Sequence, residues 1–221
     1  QEFSPELWYP VTGEIRYLPD FKSKKGYISL PVELEGNESA FIVFRKTNKV
    51  TEKKDNFPQK AIVYKIDTPW KITFEAGKRG PKTPVVWSQL KDWMDSENDS
   101  IKYFSGQAVY ETTFTLEKLP QKSLYIDLGN VMVMAKVTLN GHYVGGVWIN
   151  PYRLNVTDYL REGENKLEIT VVNNWQNRLI GDQRLPEDQR LTWTTINPWK
   201  ADSSLQSSGL LGPVEIQFFD Y

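Results

Sequence analysis

Apolar residues recur at every second position along most of the chain. In Ala108–Leu116, Tyr110, Phe114 and Leu116 fall on one face and Glu111, Thr113 and Thr115 on the other, as in a strand with one buried and one solvated side. The same period groups Leu124, Ile126 and Leu128, then Ala135, Val137 and Leu139, then Leu167, Ile169 and Val171 against Lys166, Glu168 and Thr170. It sets Ile72 and Phe74 inward, and in the last strand Val214, Ile216 and Phe218 inward with Glu215 and Gln217 outward. Half-polar strands of this kind build antiparallel sheets. Asn140-Gly141, directly after a clean strand, predicts a two-residue hairpin, because a type I′ turn needs positive φ at both central residues. Helical spacing is confined to Trp87, Leu90, Trp93 and Met94, which predict a short helix, and to Thr157-Asp158-Tyr159-Leu160, a single turn capped by Thr157 and closed by Gly163. The fold class is all-β, a β-sandwich.

The pattern is interrupted once. Glu14–Leu18, Tyr27–Leu34 and Ala40–Arg45 predict three strands. Between Lys46 and Lys60 the alternation gives way to lysines mixed with Thr, Asn, Glu52 and Asp55, with Pro58 near the end. Such a stretch reads as a solvated linker. The organisation expected is a strand-rich tail of a preceding β-domain over 1–48, a linker over 49–60 and a main domain over 61–221. A tail of roughly 48 residues is too short for a secure core without disulfides, so it is expected either to pack on the main domain or to close a larger domain upstream; the second is favoured, which makes the chain a fragment of something longer.

Composition removes several chemistries. The 221 residues include 27 basic and 28 acidic side chains, one histidine, eight tryptophans and no cysteine. Disulfides, thiolate nucleophiles and cysteine-ligated metals are excluded, as are paired-histidine sites. A net charge of −1 is not that of a nucleic-acid-binding domain, and no apolar run approaches the ~18 residues of a membrane helix. The chain opens with no basic-then-apolar leader.

The order of motifs from about Trp70 to Phe218 resembles the sugar-binding, galactose-binding-like jelly roll of glycoside hydrolase family 2. The residues that carry this are Ser105-Gly106-Gln107-Ala108-Val109-Tyr110, Asp127-Leu128-Gly129, Ala135-Lys136-Val137-Thr138-Leu139-Asn140-Gly141, Asn155-Val156-Thr157-Asp158-Tyr159-Leu160 and Gly163-Glu164-Asn165-Lys166-Leu167. The stretches Lys102–Gly106, Asn173–Asp182 and Ser208–Val214 are similar to the C-terminal region of family 106 α-L-rhamnosidase-like proteins, and Ser39–Arg45 resembles the closing strands of the β-domain before that jelly roll. The resemblance implies a galactose-binding-like jelly roll over 61–221. It also implies an upstream catalytic domain of the same polypeptide as partner, action on plant or microbial polysaccharide, and a periplasmic or extracellular bacterial setting. One departure is the loop after the hairpin, Gly145–Tyr152, which lacks the histidine that family 2 domains carry there.

Glycoside hydrolysis needs two facing carboxylates; the candidates here, Asp182, Glu187 and Asp188, lie in a loop-like stretch, and no catalytic residue is assigned. Carbohydrate contact needs flat aromatics flanked by hydrogen-bonding side chains. Trp148, Asn150 and Tyr152 meet that requirement, as do Arg190, Trp193, Asn197 and Trp199. Tryptophans of this kind equally serve as core or domain-interface residues, and Trp70, Trp87 and Trp93 are expected to be structural. Asp95-Ser96-Glu97-Asn98-Asp99 starts like a calcium loop but lacks the glycine and the bidentate glutamate. No cofactor is therefore expected, with structural calcium the one metal left open. His142 reads as an exposed turn residue. The function expected is a mainly structural accessory region with weak carbohydrate contact; a true carbohydrate-binding module and a self-contained glycosidase rank behind it.

Overall fold

A computed structural model of the protein describes residues 3–46 and 54–220. The chain divides into two units, Gln1–Ala61 with Ile149–Pro151 and Phe218–Tyr221, and Ile62–Trp148 with Tyr152–Gln217. In the first, β1 (Phe3–Trp8) lies between β2 (Ile15–Tyr17) and β5 (Phe41–Lys46) in an antiparallel sheet, and β3 (Lys22–Lys24) pairs with β4 (Tyr27–Ser29) as a separate hairpin. The strand expected over Tyr27–Leu34 stops at Ser29, just before Pro31, which has no N–H to offer a ladder. Residues 49–53 of the expected linker lie outside the described residues. Asn56 departs from the solvated reading: it is buried, its Oδ1 accepts from Asp20 N at 2.8 Å, and its Nδ2 donates to Asp20 O at 2.7 Å and Pro31 O at 3.3 Å. Arg16 donates to the Asn56 carbonyl. A side-chain amide carries both donor and acceptor, so one asparagine pins two passing strands of chain.

Apart from the first three residues of β6 and the last three of β17, the second unit is built from β6 (Gln59–Lys65), β7 (Trp70–Phe74), β8 (Val85–Trp87), β9 (Gln107–Leu116), β10 (Tyr125–Asp127), β11 (Asn130–Met132), β12 (Met134–Leu139), β13 (His142–Val147), β14 (Arg153–Asn155), β15 (Gly163–Val172), β16 (Gly209–Gly212) and β17 (Glu215–Asp220). Six strands form one sheet in the order β13-β12-β15-β9-β7-β8; four form another, β14-β10-β17-β6; β11 and β16 make a short ladder. The expected inward sets are buried: Tyr110, Phe114 and Leu116; Leu124, Ile126 and Leu128; Ala135, Val137 and Leu139; Leu167, Ile169 and Val171. Tyr64 of β6 stacks on Phe114 of β9, ring centroids 5.5 Å apart, across the two layers. This is the β-sandwich that the alternation predicts and the jelly roll that the resemblance implies.

Three expectations within it fail in whole or in part. Glu215 and Gln217 are buried, not outward. β17 is an inner strand covered on both faces, and Gln217 Nε2 donates to Glu215 Oε2 at 3.2 Å. Trp87–Met94 is not a helix: Val85–Trp87 pairs with β7, and only Trp93–Asp95 makes a tight 3-10 turn, started by Asp92 Oδ1 accepting from Met94 N. The helix in this region is α1 (Asp99–Lys102), capped by Asn98. The Thr157 turn exists, but Asn155 caps it, and Thr157 Oγ1 instead accepts from Leu124 N at 2.9 Å.

The hairpin is as expected, with Asn140 at φ 52° and Gly141 at φ 83°. Asn140 Nδ2 reaches Tyr159 O and the Oδ1 of fully buried Asn165, whose own amide serves Arg161 and Gly163. Trp93, Phe74 and Phe104 form an aromatic cluster with centroids 4.9–5.5 Å apart, Phe104 meeting each of the other two edge to face. Beside it, the Tyr110 hydroxyl accepts from Trp93 Nε1 at 2.6 Å and Leu210 N at 3.2 Å.

Burial pushes the Tyr110 phenol well above its ordinary range. An unfolded tyrosine ionises near pH 10, so the neutral form favoured in the fold adds stability below about pH 10 that is lost progressively above it. Tyr110→Phe should cost about 1–3 kcal/mol at neutral pH, because two buried donors lose their acceptor. It should also flatten the decline above pH ~10, measured by urea denaturation at both pH values; equal declines in the two proteins would contradict this.

Candidate functional site

The irregular segment between Gln183 and Ser208 is held at its root by α2 (Gln176–Asp182), a helix the sequence pattern does not reveal. Asn177 and Arg178 are spaced to face inward with Asp182, and all three are buried. Asn177 Oδ1 accepts from Gln206 N at 2.8 Å and its Nδ2 donates to Gln206 O at 2.6 Å, which ties the end of the segment to the helix. Gly181 is required by close packing: a Cβ there would lie 2.6 Å from the Tyr103 ring. The Tyr103 hydroxyl in turn accepts from Arg184 at 2.9 Å.

Asp182 governs the start of the segment. Its Oδ2 accepts from Leu191 N at 3.0 Å, Thr192 N at 2.8 Å and Thr192 Oγ1 at 2.6 Å. Its Oδ1 lies 2.8 Å from Arg178 Nη2 as an ionic contact rather than an aligned hydrogen bond. The Asp182 side chain is 1% exposed, so this charge exists only because a cation and three donors surround it. Burial, with the neighbouring Arg79 charge, pulls Arg178 below its ordinary value, while Asp182 acts in the opposite direction. Arg190 Nε donates to Leu185 O at 3.2 Å, and Arg79 donates to Gln189 O. Further out, Thr194 Oγ1 donates to Ile196 O, and Asn197 Oδ1 accepts from Trp199 N at 3.0 Å. The result is an arm with a fixed root and a shaped tip, on which Trp193 is 84% and Ile196 81% exposed.

Arg190, Trp193, Asn197 and Trp199 are thus brought into one loop, Trp193 outermost and the other three half-buried. The second expected group is not assembled in the same way. Trp148 is exposed just past β13, Tyr152 supplies its carbonyl to Leu128 N at 2.9 Å, and half-buried Asn150 belongs to the first unit. Asp182 is not a loop residue but the last residue of a helix, with both oxygens engaged; Glu187 and Asp188 are exposed on a 3-10 turn. In the Asp95–Asp99 stretch, Ser96 Oγ and Asn98 Oδ1 accept from backbone N–H groups at 3.2 and 2.9 Å, and among the described residues no group of three or more His, Cys, Asp or Glu could hold a metal ion. Trp70, Trp87 and Trp93 are buried, and His142 is exposed at the hairpin.

Residues 87–205 match the family model described as glycosyl hydrolase 2 galactose-binding domain-like. The chain belongs to that family. A solved rhamnosidase from Novosphingobium sp. PP1Y superposes on 98% of this galactose-binding-like chain with a TM-score of 0.83 and 37% identity, the match covering 20% of that rhamnosidase. A protein of Formosa agariphila named "Putative beta-glucuronidase" is 44% identical over 158 residues, 60% of this chain and 14% of its own length. A Ruminococcus gnavus β-glucuronidase shares the fold at TM-score 0.51 and 16% identity over 77% of the chain. The chain therefore spans a fifth or less of the two more similar proteins.

For this galactose-binding-like domain, the family match runs through α2 and the arm to residue 205. Arg178 and Asn177 are residues that reading by motif left without a role, and Asp182 was weighed there only as a catalytic carboxylate, not as the anchor of the arm. Their signal was the i, i+4 acid–base spacing of Arg178 and Asp182. Replacing Asp182 with alanine should cost about 3–5 kcal/mol, because Arg178 is left buried without its counter-charge. Thr192→Val should cost about 1 kcal/mol and leave the helix intact. In both variants limited trypsin digestion should cut after Arg190 faster than in the parent protein; unchanged cleavage would show that the clasp does not hold the arm.

Proposed function

We propose that this chain is a non-catalytic accessory region of a longer glycoside hydrolase of the family 106 α-L-rhamnosidase type, acting on plant or microbial polysaccharide in the periplasm or outside a bacterial cell. Its main work is architectural, with weak carbohydrate contact through exposed aromatics on its loops. The observation that carries this reading is the likeness to the Novosphingobium rhamnosidase, which extends over 98% of the chain yet takes up 20% of that enzyme. The side chains agree with it. Asp182 is consumed in a buried ion pair and Glu187 and Asp188 are solvated, so no acid and base face each other there as glycoside hydrolysis requires. A second reading, that the longer protein acts on glucuronides, is favoured by the 44% identity to the Formosa protein, a likeness that covers less of the chain.

The purified chain should turn over neither aryl α-L-rhamnosides nor aryl β-glucuronides, while the longer polypeptide carrying it hydrolyses the rhamnoside. Turnover by the chain alone, abolished by one carboxylate substitution, would establish a self-contained glycosidase instead. Hydrolysis of the glucuronide alone by the longer polypeptide would select the second reading.

A further inference from the structure

The arm combines two features that oppose each other energetically. An indole and an isoleucine, Trp193 and Ile196, stand almost fully in solvent beside the half-exposed Leu191. Yet the chain immediately before them is fixed by a desolvated carboxylate that takes three hydrogen bonds from Leu191 and Thr192. A loop whose only task was to connect α2 to β16 would gain nothing from holding an indole outward, since burying one stabilises by a few kcal/mol. Fixing the root removes in advance the ordering entropy that binding would otherwise cost. The side chains at the tip are of the kind that anchor protein interfaces, where tryptophan is over-represented and sits in a pocket on the partner.

We infer that Leu191–Trp199 is the element by which this region seats on the rest of its own polypeptide, inserting Trp193 and Ile196 into an apolar socket there, with Asp182 as the positioning residue. This rests on the functional reading above, that the chain is part of a longer glycoside hydrolase. Size selects the occupant. Three side chains expose on the order of 400 Å², against the ~800 Å² per partner of a stable interface between free proteins. A tethered partner is present at millimolar effective concentration and needs far less surface. A free protein or a second copy would need more than the arm provides. A saccharide is the poorer fit, because the other exposed large side chains of the arm, Leu191 and Ile196, are apolar, and two of its polar groups, Thr194 Oγ1 and Asn197 Oδ1, already bond to the arm's own backbone.

Hydroxyl-radical footprinting with mass spectrometry tests this on the longer polypeptide and on the separately expressed chain. Trp193 should be oxidised at least about fivefold more slowly in the longer polypeptide, as expected for an anchor residue buried at an interface. Thr192→Val should restore part of the difference without changing oxidation at buried Trp93, and Asp182→Asn should restore more where it folds. Equal oxidation of Trp193 in the two proteins overturns the proposal. So does slowing in the separate chain on raising its own concentration, or on adding α-L-rhamnosyl oligosaccharides, which would assign the arm to a second copy or to sugar. An active glycosidase with unprotected Trp193 defeats this inference alone. A long polypeptide that protects Trp193 but hydrolyses no glycoside defeats only the functional reading, and a reading frame confined to these residues defeats both.

Discussion

Everything in the second unit is referred to the pairing of β9 with β15. The two strands run antiparallel along their full ten-residue lengths, from Gly163 opposite Leu116 to Val172 opposite Gln107. They are the two innermost strands of the six-stranded sheet, with β12 and β13 added on one side and β7 and β8 on the other. Because a strand's side chains alternate, this one register decides which residues of both strands face the core. Tyr110, Thr112, Phe114 and Leu116 meet Leu167, Ile169 and Val171 on the same face, and all are buried. Slipping by one residue would put Glu111 and Glu168 in the core. The inward Thr112 is tolerated because its hydroxyl bonds Thr68 Oγ1 at 2.7 Å and Pro69 O at 2.8 Å.

The motifs that carry the family likeness turn out to be devices that fix the ends of this ladder. Asn140 and Asn165 join the hairpin tip to the Val156–Leu160 turn and to the start of β15 through four side-chain amide bonds among Asn140, Tyr159, Arg161 and Gly163. Gly129 and Gly212 touch backbone to backbone, where a Cβ on Gly129 would lie 2.3 Å from the Gly212 carbonyl. At the other end Asn173 takes the Gly106 N–H at 3.0 Å and donates to Phe104 O at 2.9 Å, closing the entry to β9 against the exit of β15. Polar residues that look functional by type are thus satisfied by backbone, as buried amides must be.

This explains what could be read from the sequence and what could not. Period-two alternation reports burial on one face of a strand, and it located β7, β9, β10, β12 and β15 because those strands have one wet face, while the Asn140-Gly141 turn located the hairpin. Alternation misplaced Glu215 and Gln217 because β17 has none. α2 escaped notice because it is buried almost all round, through polar Asn177, Arg178 and Asp182 as well as Leu179 and Ile180, so it shows no apolar stripe set against a polar face. Helical spacing suggested a helix at Trp87–Met94 because Trp87 and Trp93 are both buried, though by different elements, a strand and a 3-10 turn. The aromatic arm was legible as a cluster of residue types. Its fixation was not, because Asp182 and Leu191 meet only after α2 has formed.

The eight tryptophans therefore divide by what surrounds them. Trp70 and Trp93 are in the core, and Trp93 has its indole N–H answered by the Tyr110 hydroxyl. Trp193 stands outside on a backbone held by a buried charge. A buried ion pair is seldom the most stabilising way to fill a core, so its presence at the root of an exposed loop argues for geometry rather than stability as its purpose. An apolar pair in place of Arg178 and Asp182 could fill the same volume, but it could not accept the N–H groups of Leu191 and Thr192. What the charge supplies is an acceptor strong enough to fix two successive peptide groups and a hydroxyl at one point, and so to aim the residue that follows.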